Sequence, residues 1–231
     1  MIRIAAVVAL VSEPVLAGDP QVIPPAAARV IYLLRHGAYT PDPKADRLLG
    51  PGLAPIGVAQ ARLVGARLSA LPFRFDAIYA SPLTRALETA RVVAADLPGA
   101  KIEILPDLEE CTPPTWRIEV VADSSPEEMA ACAQRLDRLF ARLFIPAQGS
   151  ERRELLVCHG DVIRYLVTKA LRVDTKAWLE MSVRHASLTV VRVEPDGRFK
   201  VITIGDTGHL PPSLLSGATG DPERDLAVPA E

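Results

Sequence analysis

Cysteine is scarce in this chain of 231 residues: Cys111, Cys132 and Cys158 are the only three, and no two form a CxxC pair. An odd number at such spacing suggests neither a disulfide framework nor a zinc site. Cys132 and Cys158 fall in apolar periodic segments, where a thiol serves as a small buried apolar residue. An excess of one charge is also lacking, with 26 Lys and Arg against 28 Asp and Glu and a formal net charge of −2. Without a basic excess or a dense run of lysines and arginines, nothing marks a nucleic-acid or anionic-membrane partner. The apolar stretch near the N-terminus, Ile4 to Val11, is far shorter than the ~20 residues a bilayer span needs. No internal repeat is visible.

What is present is a balanced soluble composition, 49% hydrophobic, enough for one well-buried core with terminal extensions. At the N-terminus Arg3 precedes the apolar stretch, and Val15 and Ala17 take the small-residue places of a signal-peptidase site. The expectation is a signal peptide and a periplasmic or secreted protein. The alternative is an ordinary first strand or extension of a cytoplasmic protein. Three prolines between Gly18 and Ala28 read as a linker. Residues 1–28 are thus assigned to leader and linker, 29–212 to one catalytic domain, and 213–231, without periodicity, to a flexible tail.

Between these ends strands and helices alternate. Val30–Leu34 and Leu155–Cys158 are continuous apolar runs, the pattern of strands buried on both faces. Phe75–Tyr79 and Lys101–Leu105 read as two more strands. Helical spacing runs through Leu53–Leu68, Pro82–Leu97 and Val162–Leu171. Ser125-Pro126-Glu127-Glu128 combines an N-cap, a proline at the first helical position and a capping-box glutamate, opening a helix to about Phe144. Ser187–Val193 and Phe199–Ile204 flank Pro195-Asp196-Gly197, a hairpin turn. The alternation predicts a three-layer α/β/α sandwich with a mostly parallel central sheet. Ligands in such sheets bind at the carboxyl ends of the strands.

Two of the four histidines fall there. Arg35-His36-Gly37 follows the first strand directly, and Cys158-His159-Gly160 leaves another strand and enters a helix. Glycine lets an anion approach the backbone closely, arginine offers a planar fork matched to phosphate oxygens, and a helix N-terminus favours anions. Neutral imidazole is a competent nucleophile at neutral pH. Either junction alone is compatible with a core histidine; two of the same local design are much less so. A third segment, Ser81-Pro82-Leu83-Thr84-Arg85-Ala86, places Arg85 in the first turn of a helix after a strand.

These motifs resemble the histidine phosphatase superfamily, the phosphoglycerate mutase-like fold. The resemblance rests on Leu34-Arg35-His36-Gly37, Gly52-Leu53-Ala54-Pro55-Ile56-Gly57 with Gln60-Ala61, Ser81 to Ala86 with Glu88-Thr89-Ala90, and Cys158-His159-Gly160. Val162-Ile163-Arg164-Tyr165, Ala177-Trp178-Leu179 and Gly205-Asp206-Thr207-Gly208 with Pro211-Pro212 are similar to its mitochondrial serine/threonine phosphatase branch. The similarity covers roughly residues 30–212. It implies a phosphoric monoester hydrolase that needs neither metal nor cofactor. His36 would become phosphorylated, while Arg35, Arg85, His159 and Gly160 bind the phosphoryl oxygens. Glu109 or Glu110, with the Cys111-Thr112-Pro113 spacing favouring Glu110, would be the general acid, giving a mildly acidic to neutral optimum. The substrate would be a phosphoprotein or a small phosphate ester.

Two departures stand out: Ala38-Tyr39-Thr40, where many members carry a longer polar stretch, and Asp161, a negative charge beside an anion site. His185 and His209 are read as structural or surface. The alternatives are a phosphoglycerate-type phosphomutase, disfavoured by the short connection between Glu110 and Ser125, and a non-catalytic scaffold.

Overall fold

A computed structural model describes residues 24–217. Its centre is a six-stranded sheet of β2 (Arg29–Arg35), β3 (Ala77–Ala80), β4 (Ile102–Ile104), β6 (Arg152–Cys158), β7 (Leu188–Val193) and β8 (Phe199–Asp206), ordered β4-β3-β6-β2-β7-β8. The first four in that order run parallel; β7 and β8 complete it as an antiparallel hairpin. Its turn places Gly197 at φ +81°, where glycine avoids the strain of a side chain. Two short strands, β1 (Ala26–Ala27) and β5 (Ala147–Gln148), pair separately. Part of the expected linker is therefore a strand, because the backbone beyond its prolines finds an antiparallel partner.

Helices α1 (Pro55–Ser69) and α2 (Thr84–Ala94) cover one face, burying Val64, Leu68, Ala90 and Val93 against Leu34, Leu155 and Val157. Helices α3 (Pro126–Leu143) and α4 (Gly160–Leu171) cover the other, with Leu136, Leu139, Ile163 and Leu166 against Ile31, Leu33 and Leu156. Leu155, Leu156 and Val157 are all 0% exposed. An apolar residue on both sides of the pleat is what a strand between two helical layers requires. The α/β/α sandwich is as the alternation of elements implies. The capping box of α3 forms in full: Glu128 N–H donates to Ser125 Oγ, and the Glu128 carboxylate accepts from Ser125 N–H.

Two expectations need correcting. Cys111 and Cys132 form a disulfide, leaving Cys158 as a buried thiol. The two are 21 residues apart, and only the return of the 109–117 loop onto α3 brings them together, so no local spacing announces the bond. Residues 213–217, assigned by composition to a flexible tail, are held against the domain: Gln60 Nε2 donates to Leu214 O at 2.6 Å and Ser216 Oγ at 2.8 Å. The signal-peptide reading falls on residues outside those described. Among the described residues, no helix is long and apolar enough to cross a membrane.

Candidate active site

The carboxyl ends of β2, β3 and β6 meet at one edge of the sheet, because parallel neighbours in register finish together. Arg35 lies opposite Cys158, and Ala80 opposite Val157. The next residues, His36, Ser81 and His159, therefore leave the sheet side by side. His36 N–H donates to Cys158 O at 2.9 Å and Ser81 N–H to Val157 O at 2.9 Å. The His36 and His159 ring centroids are 5.1 Å apart, and both residues are almost fully buried.

Two bonds fix the tautomer of His36. Nδ1 lies 2.7 Å from Gly37 O, which can only accept, while Arg85 Nε, which can only donate, reaches Nε2 at 3.2 Å. Nδ1 therefore carries the hydrogen, and the lone pair sits on Nε2 toward Arg85. Burial first, then His159 and Arg35, hold the ring well below the usual histidine range. It stays neutral, the form that can attack an electrophile.

The turn that presents His36 and the segment beside it are clamped by motif residues that accept backbone hydrogen bonds. Thr89 Oγ1 accepts from Gly37 N–H at 3.0 Å, Gln60 Oε1 from Ala38 N–H at 2.8 Å, and Glu88 Oε2 from Leu53 N–H at 2.7 Å. A Cβ on Gly37 would stand 2.5 Å from Gly57 O, and one on Gly57 would stand 2.0 Å from Ala38 O. The backbones meet so closely that neither residue can carry a side chain.

Around the rings stand the other expected residues. Arg35 is held by Val183 O at 2.6 Å and Gly217 O at 2.7 Å, and its Nε is buried without a partner among the described residues. Gly160 opens α4 so close that a Cβ there would touch the Arg35 guanidinium at 3.4 Å. Ser81 Oγ lies 2.8 Å from His159 Nε2, leaving Nδ1 3.7 Å from Glu110 Oε2. Glu109 turns away onto Arg135, so Glu110 is the glutamate that faces the site. Burial first, then the Asp161 charge, pushes the Glu110 carboxyl up to about 8 against the pull of Arg35 and Arg85. Asp161 bonds Arg164, whose guanidinium stacks over Trp178 at 4.7 Å. The second departure noted in the sequence is thus an ion pair.

His36, Glu110 and His159 offer ligand atoms within 4.8 Å of one another, a spacing a cation could use. With the Arg35 and Arg85 side chains beside them, the chemistry of the whole set suits an anion better.

Sequence reasoning missed one ring. His185 stands 5.3 Å from His36 and 6.3 Å from Tyr39 between ring centroids, while the Arg85 guanidinium lies over the Tyr39 ring at 4.9 Å. The signal is topological: β7 runs antiparallel to β2, with Leu188 opposite Leu34, so residues just before β7 lie at the edge where β2 ends. His209 stays outside this group and bonds Ala186 O at 2.9 Å.

A parallel sheet that gathers two histidines, two arginines and a glutamate at its carboxyl edge defines a class of phosphoryl-transfer enzyme, and the chain belongs to the histidine phosphatase superfamily (branch 1), whose family model matches residues 31–207. It is a phosphatase. Within that class it is similar to the mitochondrial serine/threonine-protein phosphatase PGAM5 of Xenopus tropicalis, at 34% identity over 83% of this chain and 69% of that protein. It is equally similar to PGAM5 of Homo sapiens, at 34% identity over 82% and 66%. Among solved structures, phosphoglycerate mutase from Plasmodium falciparum shares the fold, with a TM-score of 0.57, 24% identity, and 80% of this chain and 95% of that one covered. The relatives' names place them in mitochondria. They point there rather than to a periplasm or the exterior, and overturn the expectation of export; a short apolar run behind one basic residue is too general a pattern to assign a compartment.

Proposed function

We propose that the chain hydrolyses phosphomonoesters through a phosphohistidine on His36, without a metal, and that its substrates include phosphoproteins. The observation that carries the reading is the His36 Nε2 lone pair, held toward Arg85 with the His159 ring alongside. In the first half-reaction Nε2 attacks phosphorus and the bond to the leaving oxygen breaks. Glu110 protonates that oxygen, while Arg35, Arg85, His159 and Gly160 bind the phosphoryl oxygens. The Nδ1–H bond to Gly37 O supports the charge the phosphorylated ring acquires. In the second half-reaction water attacks phosphorus and the Glu110 carboxylate takes its proton. The N–P bond then breaks, returning neutral His36 and protonated Glu110.

Protein substrates are supported by the relatives, which are serine/threonine-protein phosphatases by name. The catalytic unit proposed is 29–212 extended to 217, since Gly217 O bonds Arg35. Hydrolysis of p-nitrophenyl phosphate and of phosphoserine and phosphothreonine peptides in EDTA tests the proposal. Wild type is expected to turn over both kinds of substrate and His36→Ala neither. Activity that needs an added metal, or survives the substitution, contradicts it.

A further inference from the structure

Gln60, Ser216 and His185 form a chain of bonds whose polarity is set at the Gln60 end. Gln60 Oε1 accepts from Ala38 N–H, so its Nε2 is the donor, to Leu214 O and Ser216 Oγ. With a lone pair of Oγ engaged, the Ser216 hydroxyl hydrogen is available to His185 Nδ1, 3.0 Å away. With the Ser216 hydroxyl hydrogen given to Nδ1, the ring proton of His185 resides on Nε2, the tautomer the proposal below adopts and tests. That atom is buried and has no hydrogen-bond partner among the described residues, an unfavourable state for an N–H unless an acceptor arrives.

The backbone is built to hold this arrangement. His185 N–H donates to Ser216 O at 3.0 Å, and Gly217 follows at φ +64°, where a Cβ would stand 2.4 Å from the His185 ring. Next to His185, Ala186 adopts φ +52° and donates its N–H to His36 O at 3.1 Å. A left-handed alanine is strained and persists only where its surroundings over-determine it. Burial, then Arg35 and Arg85, hold the His185 ring down to about 3, so it is neutral at working pH.

Resting on the phosphoryl-transfer reading above, we propose that His185 is a further catalytic residue whose Nε2–H donates to an oxygen of the transferred phosphoryl group, and that Ser216 is the positioning residue that sets its tautomer. Residues 214–217 thereby complete the pocket: they orient one donor through Ser216 and one guanidinium through Gly217 O.

Three variants test this, with kcat/KM on p-nitrophenyl phosphate and the inhibition constant of orthovanadate as readouts. His185→Phe keeps the ring and loses the donor. It should lower kcat/KM about 10²-fold, the usual loss for one preorganised donor, and weaken vanadate in parallel. His185→Gln, which restores an N–H, should recover most of both, and Ser216→Ala should fall between. A folded His185→Phe within twofold of wild type on both readouts overturns the inference while leaving His36 chemistry intact. Imidazole ¹⁵N spectra of wild type give a second test that needs no variant: the His185 proton should lie on Nε2 and move when vanadate binds. A proton on Nδ1, or a signal indifferent to vanadate, also overturns it. Wild-type activity insensitive to His36→Ala would sink the underlying reading as well, which separates the two failures.

Discussion

As the acid and then the base of the proposed cycle, Glu110 has to lose and regain a proton near the working pH. Burial and Asp161 raise it, and the guanidinium groups pull it back, to about 8. The sign for activity follows: the acid form is lost as pH climbs through about 8, while His36 is already neutral on the acid side. The log of kcat/KM should therefore fall with a slope of about −1 above pH 8. Glu110→Gln should remove that limb and cost about 10²–10⁴ in rate. Asp161→Asn, which takes away a charge that disfavours the carboxylate, should move the limb to lower pH without abolishing turnover. A pH profile of the three proteins checks this; an unmoved limb in Asp161→Asn would deny that residue its part. At this scale most of the residues the structure gathers into the candidate site were legible. Arg35, His36, Arg85, His159 and Gly160 announce themselves by standing at strand ends and helix starts. His185 did not, because it precedes an antiparallel strand, and its place depends on a pairing no local pattern encodes.

The elements that carry these residues were legible where periodicity or capping marks them, as in α3, whose capping box forms as Ser125 and Glu128 imply. Contacts between distant segments were not. The Cys111–Cys132 bond joins the loop of Glu110 to α3, pinning the residue next to the acid. Further along that loop, Pro113 O and Pro114 O accept from Trp178 Nε1 at 3.2 and 3.1 Å, so the loop is also held after Cys111. Alkylation of unfolded, unreduced protein should label one thiol, Cys158; three labels would show the bond absent. Cys132→Ser should lower stability by about 3 kcal/mol, the usual effect of opening a loop of this length. Because Glu110 adjoins the loosened segment, kcat should fall more than KM rises.

Across the whole molecule, chemistry is concentrated where β2, β3 and β6 end, while β7 and residues 214–217 close that edge from the far side. Alternating strands and helices dictate the sandwich and the edge at which ligands bind. The two faces of the sheet are covered because the apolar runs of β2 and β6 leave neither face polar. What composition could not convey was that Ser216 and Gly217 lie against the candidate site, since their hold comes from a few hydrogen bonds to Gln60, His185 and Arg35 rather than from an apolar stripe. The central claim is that the phosphoryl group is transferred to His36 at Nε2, the nitrogen its hydrogen bonds leave unprotonated. Rapid quenching of turnover under alkaline conditions, followed by peptide mass spectrometry and isomer assignment of the phosphohistidine, tests it most directly. The account predicts a transient phosphoryl group on His36, attached at Nε2. No phosphoenzyme, a phosphoryl group on His159 or His185, or attachment at Nδ1 would contradict it.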